Sequence, residues 1–299
     1  MPKRFFIYPF LLFVIGLVTL LPTSYAPQTA QPLSLENYFT DKGTGAALSL
    51  GSFAALLNET ADSMKQAVLG THNQTPPTYP AIKGSYKIAV VGDSMVATLG
   101  DMKGLNNELK ALFPNATFKI VNAGAASTTI DYGLYRLTNS YNYLGEEKPS
   151  ILSLNPDIIV IESFAYNHGD DTLGDLNHQW LTIAEMIKKI KEVSPQTKII
   201  LATTIAPHCP TYTDGSANLP PERKWKECKT VKKYLQNMTD FARSQNYPLA
   251  DSYQASLNAQ GEGKKEFIAN DNIHPSDKGG KLFAESVAQK IKEVLLPQP

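Results

Sequence analysis

Cysteine is scarce in this chain and neither sign of charge dominates. Cys209 and Cys228 are the only two cysteines, too few for a small disulfide-framed domain and, even with His208 nearby, too few to close a structural zinc site. Paired across their short, polar, Pro-rich stretch in an oxidising compartment, they would stabilise it by about 3 kcal/mol; two unpaired thiols are the other reading. Lys and Arg together number 28, as do Asp and Glu. No run of five like charges occurs, so neither a nucleic-acid groove nor a polybasic membrane patch is expected. Internal repeats and low-complexity tracts are missing too, and a hydrophobic fraction of 42% is that of an ordinary globular chain.

There is one long apolar run. Lys3 and Arg4 precede the uncharged residues 5–21, which Pro22 and the small-x-small triplet Ser24-Tyr25-Ala26 follow, the layout of an export segment. Pro27 suits a cleavage site poorly and the run approaches bilayer length, so residues 1–26 read either as a signal peptide or as an uncleaved N-terminal membrane anchor. Residues 27–85 read as an extension: a polar stretch, an amphipathic helix carried by Leu50, Phe53, Leu57, Ala61, Met64 and Val68, and a Thr- and Pro-rich linker over 71–80.

From residue 86 to about 297 the pattern alternates. Short apolar runs at 87–91 (KIAVV), 118–121 (FKIV), 157–161 (DIIVI), 198–202 (KIILA) and 247–250 (YPLA) are typical of strands buried on both faces. Between and after them apolar residues recur at helical spacing: Leu105, Leu109 and Leu112; Leu176, Trp180, Ile183, Ile187 and Ile190; Trp225 to Phe241; Leu282 to Ile291. This predicts an α/β domain with a mainly parallel five-stranded sheet, whose reactive groups stand beyond the carboxyl ends of the strands.

Two places there carry chemistry. Val91-Gly92-Asp93-Ser94 ends the first strand, and Gly92 permits the turn that would expose Ser94; taken alone, a Ser after a strand is more often an N-cap. Val96 stands where the α/β-hydrolase nucleophile elbow needs glycine, so that motif is excluded. Near the end, Asp271-Asn272-Ile273-His274-Pro275 leads into a helix that Ser276 can cap. An Asp three residues before a His can turn back to accept the imidazole N–H, leaving the other nitrogen as a free base. A nucleophile and a positioned base together meet the needs of acyl transfer.

These residues resemble the SGNH/GDSL hydrolase family over about 86–296. Gly92-Asp93-Ser94 is similar to its first block, Asn122-Ala123-Gly124 to its second, Ala165-Tyr166-Asn167-His168 to its third and Asp271-x-x-His274 to its last. The resemblance implies a flavodoxin-like three-layer α/β/α sandwich and a catalytic group of Ser94, Asp271 and His274. It further implies an oxyanion hole made by the N–H groups of Ser94 and Gly124 and the amide of Asn167, with no metal or cofactor. Ala165 and His168 replace the usual Gly and Asp of the third block, which bears on how that loop supports Asn167.

The expected function is an exported serine esterase acting on a carbohydrate or lipid ester of the envelope or exterior. Passing the acyl group to a glycan hydroxyl is the alternative, and an inactive binding module a lesser one. Gly92-Asp93 and Asn167-His168-Gly169-Asp170 also bear a faint likeness to the metal loops of calcineurin-like phosphoesterases. That reading lacks ligands: no Asp-x-His lies on the first strand, and Ala97 stands where a second Asp is needed. His168 and His178 read as ordinary loop and helix residues. The 205–226 segment is expected to overhang the crevice, and Tyr132, Tyr135, Tyr141 and Tyr143 to pack on the domain or to stack a sugar.

Overall fold

The computed structural model describes residue 82 and residues 84–296. The export segment, the amphipathic helix and the Thr- and Pro-rich linker lie outside the described residues. Among the described residues no helix is long and apolar enough to cross a membrane.

The strands are β1 (Gly84–Gly92), β2 (Ala116–Gly124), β3 (Tyr141–Tyr143), β4 (Glu146–Lys148), β5 (Ile158–Glu162), β6 (Lys198–Thr203) and β7 (Leu249–Asp251). Five of them form one sheet in the order β2-β1-β5-β6-β7, and all four pairings are parallel. The continuous apolar runs are explained by burial on both faces. Ala89, Val91, Ile159, Ile161, Ile199 and Leu201 point into one core, while Ile88, Val90, Ile158, Val160, Ile200 and Ala202 point into the other.

The helices are α1 (Ser94–Ala97), α2 (Lys103–Leu112), α3 (Ile130–Thr138), α4 (Leu173–Val193), α5 (Pro221–Ser244), α6 (Ser252–Ser256) and α7 (Asp277–Leu295). Residues of α3, α4 and α5, among them Leu137, Ile183, Met186, Met238 and Phe241, cover the first core. Leu105 and Leu109 of α2 with Phe283, Val287 and Ile291 of α7 cover the second, which completes the three layers. Thr172 Oγ1 accepts the Asp175 N–H at 3.1 Å to start α4, and Ser276 Oγ accepts the Gly279 N–H at 3.2 Å to start α7.

The chain places β2 on one side of β1 and β5 on the other, so the strand order reverses at β1. In open α/β sheets the ligand crevice lies at such a switch point, outside the carboxyl ends of the strands. The carboxyl ends of β1, β2 and β5 therefore meet there, and Ser94, Gly124 and Asn167 stand at or just beyond them.

Candidate active site

β1 ends in a close approach: a Cβ on Gly92 would stand 2.4 Å from Val96 Cγ2 and 2.9 Å from Glu162 Cβ, so only glycine fits. Asp93, not Ser94, is the cap of the helix that follows, its Oδ1 accepting the Met95 N–H at 2.8 Å. Ser94 thus becomes the first residue of α1, where a helix leaves its N–H without an internal partner. Asn167, at the end of a 3-10 turn after β5 (Ala165–Asn167), donates Nδ2–H to Asp93 Oδ2 at 2.9 Å. That bond orients the amide and leaves its second hydrogen for another acceptor.

Asp271 and His274 are brought together. Asp271 Oδ1 accepts the N–H groups of Ile273 and His274, each at 3.0 Å, while Oδ2 lies 2.6 Å from His274 Nδ1. With its proton on Nδ1, the ring keeps Nε2 as an acceptor. Burial alone would raise the Asp271 carboxyl, but the bonds from the His274 ring and the two N–H groups outweigh it and hold the carboxyl below its usual range. His274 acts electrostatically on Asp93, so the turn faces the end of β1. Among the described residues Ser94 Oγ makes no hydrogen bond to His274, a contact that apo enzymes often leave loose until substrate is bound.

Gly124 departs from the expected arrangement. Its N–H donates to Asn122 Oδ1 at 2.9 Å, and so is not free for an oxyanion. Its lack of a side chain has another cause: a Cβ there would come within 2.3 Å of the Ala97 backbone nitrogen, where α1 crosses the end of β2. Asn122 is locked in turn, donating Nδ2–H to Val96 O at 3.0 Å and to Gly100 O at 2.7 Å. Past Gly124, the Ala125 N–H goes to Gly92 O and the Ala126 N–H to Tyr143 Oη, both at 3.0 Å. Among the described residues the N–H groups of Ser127, Thr128 and Thr129 have no acceptor, and Ser127 has a left-handed φ of 58°.

Two buried ionisable side chains here are not expected from the sequence. Arg136 donates Nη1–H to Ala123 O at 2.6 Å and Nη2–H to Gly92 O at 3.0 Å, tying together the ends of β1 and β2. Its guanidinium lies 5.5 Å and 5.2 Å from the ring centres of Tyr132 and Tyr141. Those two tyrosines thus pack around Arg136, with Tyr135 stacked on Tyr132. The second is Glu162, wholly buried at the end of β5; its only signal in the sequence is an acidic residue closing an apolar run.

His168 stacks on Tyr234 at 5.2 Å, with Nε2 3.7 Å from Glu227 Oε2, and His178 pairs with Asp131 at 2.8 Å. With Thr129, Ile130, Asn167 and Gln179 they line a cavity of about 130 Å³ beside Asn167. Cys209 and Cys228 form a disulfide with α-carbons 5.4 Å apart. The first half of the expected overhang is packed down: Tyr212 and Thr213 are buried, and the Thr213 N–H reaches Asn272 O at 3.3 Å.

The sequence pattern of the GDSL-like Lipase/Acylhydrolase family matches residues 90–282. No individually curated protein matches in sequence. Among solved structures, a lipase/acylhydrolase from Enterococcus faecalis is 22% identical, covering 72% of this chain and 99% of its own, with a TM-score of 0.51. A putative acylhydrolase from Bacteroides fragilis is 17% identical, covering 72% and 92%, with a TM-score of 0.50. A variant of an acetyl-xylooligosaccharide esterase from Geobacillus is 18% identical, covering 74% and 100%, also at 0.50. With the family's sequence pattern spanning most of the domain and the sheet shared with acylhydrolases, this chain belongs to the GDSL-like lipase/acylhydrolase family.

Proposed function

We propose that the protein is an exported serine esterase that removes short acyl groups, through a covalent intermediate on Ser94. The observation that carries this reading is the Asp271–His274 pair: one carboxylate holds both the imidazole Nδ1 and the backbone of the turn, so Nε2 is left with its lone pair to act as the base. His274 Nε2 takes the proton of Ser94 Oγ as Oγ attacks the acyl carbonyl. The protonated ring then gives that proton to the departing alkoxide, and the acyl-enzyme remains. Water, deprotonated by the same nitrogen, attacks the acyl carbon, the acid leaves, and Ser94 regains its proton.

The oxyanion is held by the Ser94 N–H and the second Nδ2 hydrogen of Asn167. Losing one such donor costs about 10²- to 10³-fold in rate. Chain length follows from the cavity beside Asn167. That cavity is bounded by residues of α3, α4 and the turn that carries Asn167, and we take it as the place of the acyl group. A space of about 130 Å³, at about 30 Å³ per water-sized unit, takes an acyl group of a few carbons. The acetyl-xylooligosaccharide esterase among the structural relatives makes an acetylated glycan the first substrate to try. Export accords with the N-terminal apolar segment and with the disulfide.

The test uses the full chain against p-nitrophenyl acetate, butyrate and octanoate and against acetylated xylooligosaccharides. Hydrolysis that disappears in Ser94→Ala is expected, with kcat/KM lower for octanoate than for acetate by about tenfold or more. Absence of any Ser94-dependent ester cleavage would refute the reaction, while a preference for octanoate would refute the acyl pocket.

A further inference from the structure

Beneath Ser94 lie two carboxyl groups, Asp93 and Glu162, both wholly buried, and the reaction described above uses neither. Glu162 is pressed against β1: a Cβ on Gly92 would stand 3.0 Å from Glu162 Oε2. Both its oxygens are engaged by the turn that follows β5. Oε1 lies 2.5 Å from Ser163 Oγ, a hydroxyl that donates to the carboxylate and accepts the proton of the neutral acid, and Oε2 accepts the Phe164 N–H at 3.0 Å.

That turn is unusual in its backbone. Phe164 has a φ of 54°, a region that a bulky residue occupies only where its surroundings hold it. Its ring fills the space over Gly133, with Cζ 2.4 Å from where a Cβ would stand. Gln179 Nε2–H secures Ser163 O at 2.8 Å, and the Asn167 N–H returns to Phe164 O at 3.2 Å. Asn167 stands at the end of the turn, its amide on Asp93. A closed circuit results, running from Gly92 through Asp93, Asn167 and the turn to Glu162 and back to Gly92. It also accounts for Ala165 in place of the usual glycine, since the left-handed position of this loop is Phe164.

Among the described residues neither carboxyl forms an ion pair with a cationic side chain; the nearby Arg136 gives both its Nη groups to strand carbonyls. Two buried carboxylates facing each other cannot both hold their charge without such a partner. Burial raises the Asp93 carboxyl as well, but there Asn167, the Met95 N–H and His274 oppose it, so of the two Asp93 has the more support for its charge. Burial first, and then the charge on Asp93, push Glu162 up to about 8.

We propose that Glu162 is the positioning residue of the oxyanion side of the site, setting the 163–167 turn and aiming Asn167 in its protonated form, so that losing its proton slows acyl transfer. The proposal rests on the Ser94 reading above. The groups that face Glu162 are few. Asp93 comes from the end of β1 and Tyr166 from the loop itself; Gln179 of α4 and Gly133 of α3 carry no charge. Arg136 of α3 is turned to Gly92 O, and His274 acts through Asp93. Deprotonation therefore adds a negative charge beside Asp93, on the side of Ser94 where the oxyanion must develop.

The experiment compares wild type, Glu162→Gln and Glu162→Ala by kcat and KM for p-nitrophenyl acetate from pH 6 to 10, and by Tm from pH 5 to 9. Wild-type kcat should fall above about pH 8. Glu162→Gln should keep kcat at pH 7 within about threefold and lose that alkaline fall, and Glu162→Ala should lose about tenfold or more in kcat with KM little changed. In Tm, the folded state binds this proton more tightly than the unfolded chain. Wild type should therefore lose stability relative to Glu162→Gln as pH rises from about 4.5 to about 8, and no further beyond. The same alkaline fall in Glu162→Gln, or a Tm gap that does not widen between pH 5 and 8, would overturn the proposal. A wild-type protein with no Ser94-dependent hydrolysis would instead refute the reaction, and the Tm gap would still decide whether Glu162 holds the proton.

Discussion

Breaking the Cys209–Cys228 bond tests how far the reactive turn depends on the loop beside it. The bond closes a loop of sequence separation 19, whose constraint on the unfolded chain stabilises the fold by about 3 kcal/mol. For a domain of about 210 residues with an unfolding entropy of about 0.45 kcal/mol/K, that is a Tm loss of about 7 °C. The loop is also tied to the active-site turn. Asn272, between Asp271 and His274, has a φ of 60°; it donates Nδ2–H to Asp214 O at 2.7 Å and receives the Thr213 N–H at its carbonyl. Ile273 packs on the cluster that holds both cysteines. Reduction should therefore lower kcat by about three- to tenfold, through a looser His274, as well as raise KM for substrates that touch the loop. The assay is scanning fluorimetry plus ester turnover, on oxidised and dithiothreitol-treated protein and on the Cys209→Ala/Cys228→Ala double variant. A Tm shift under about 2 °C together with unchanged kcat would show that the loop keeps its place without the bond and would refute the reasoning.

Ser94→Ala and His274→Ala should each remove nearly all esterase activity, by about 10⁴-fold or more, with Tm kept, because they act as one unit and neither holds the core. Asp271→Asn should cost activity no more than that, and it should also change acid stability. The Asp271 carboxyl is held below its usual range, so its contribution is present above about pH 4 and is lost as pH falls through the folded value; urea titrations from pH 5 to 2 should fall less steeply in the variant. Chelation by EDTA should leave turnover unchanged, since side chains and backbone N–H groups fill every role; loss of rate restored by a divalent ion would revive the phosphoesterase reading. Arg136→Met should leave Ala123 O without its guanidinium donor and Gly92 O with the Ala125 N–H alone, and destabilise by about 1–3 kcal/mol, read as a lower urea midpoint.

What could be read from the sequence was what burial writes as a pattern. The strands inside the sheet announce themselves because both faces are covered, so Ile158, Ile159, Val160 and Ile161 form an unbroken apolar run. β2 reads short because it is an edge strand with polar Thr117, Lys119 and Asn122, and its true start at Ala116 leaves no apolar trace. The β3–β4 hairpin is invisible because its strands are three residues each: Tyr-Asn-Tyr is too short for its alternation to register, and Glu-Glu-Lys has no apolar residue. Of the site, the Asp271–His274 spacing was legible because three residues are what a side chain needs to fold back on its own turn. The Gly124 assignment followed motif order, and order is silent on which N–H a neighbouring Asn122 has taken. Glu162 and Arg136 were missed because charge in a sequence reads as surface, whereas here it is buried against strand ends.

The central position of β1 has a consequence for the order in which this protein comes apart. It is hydrogen-bonded along its whole length to β2 and over Ile88–Val91 to β5, so its amides should be among the last to exchange with deuterated solvent, opening only with the whole domain. The base sits in different company, on the 269–274 turn closed by an isolated bridge between Ile268 and Pro275, just before the start of α7. Local fluctuations that release this turn leave the sheet intact, and so need less free energy than global unfolding. On mild heating, turnover should then disappear before the tyrosine and tryptophan fluorescence changes, with Ser94 still standing on an intact strand and its base already adrift.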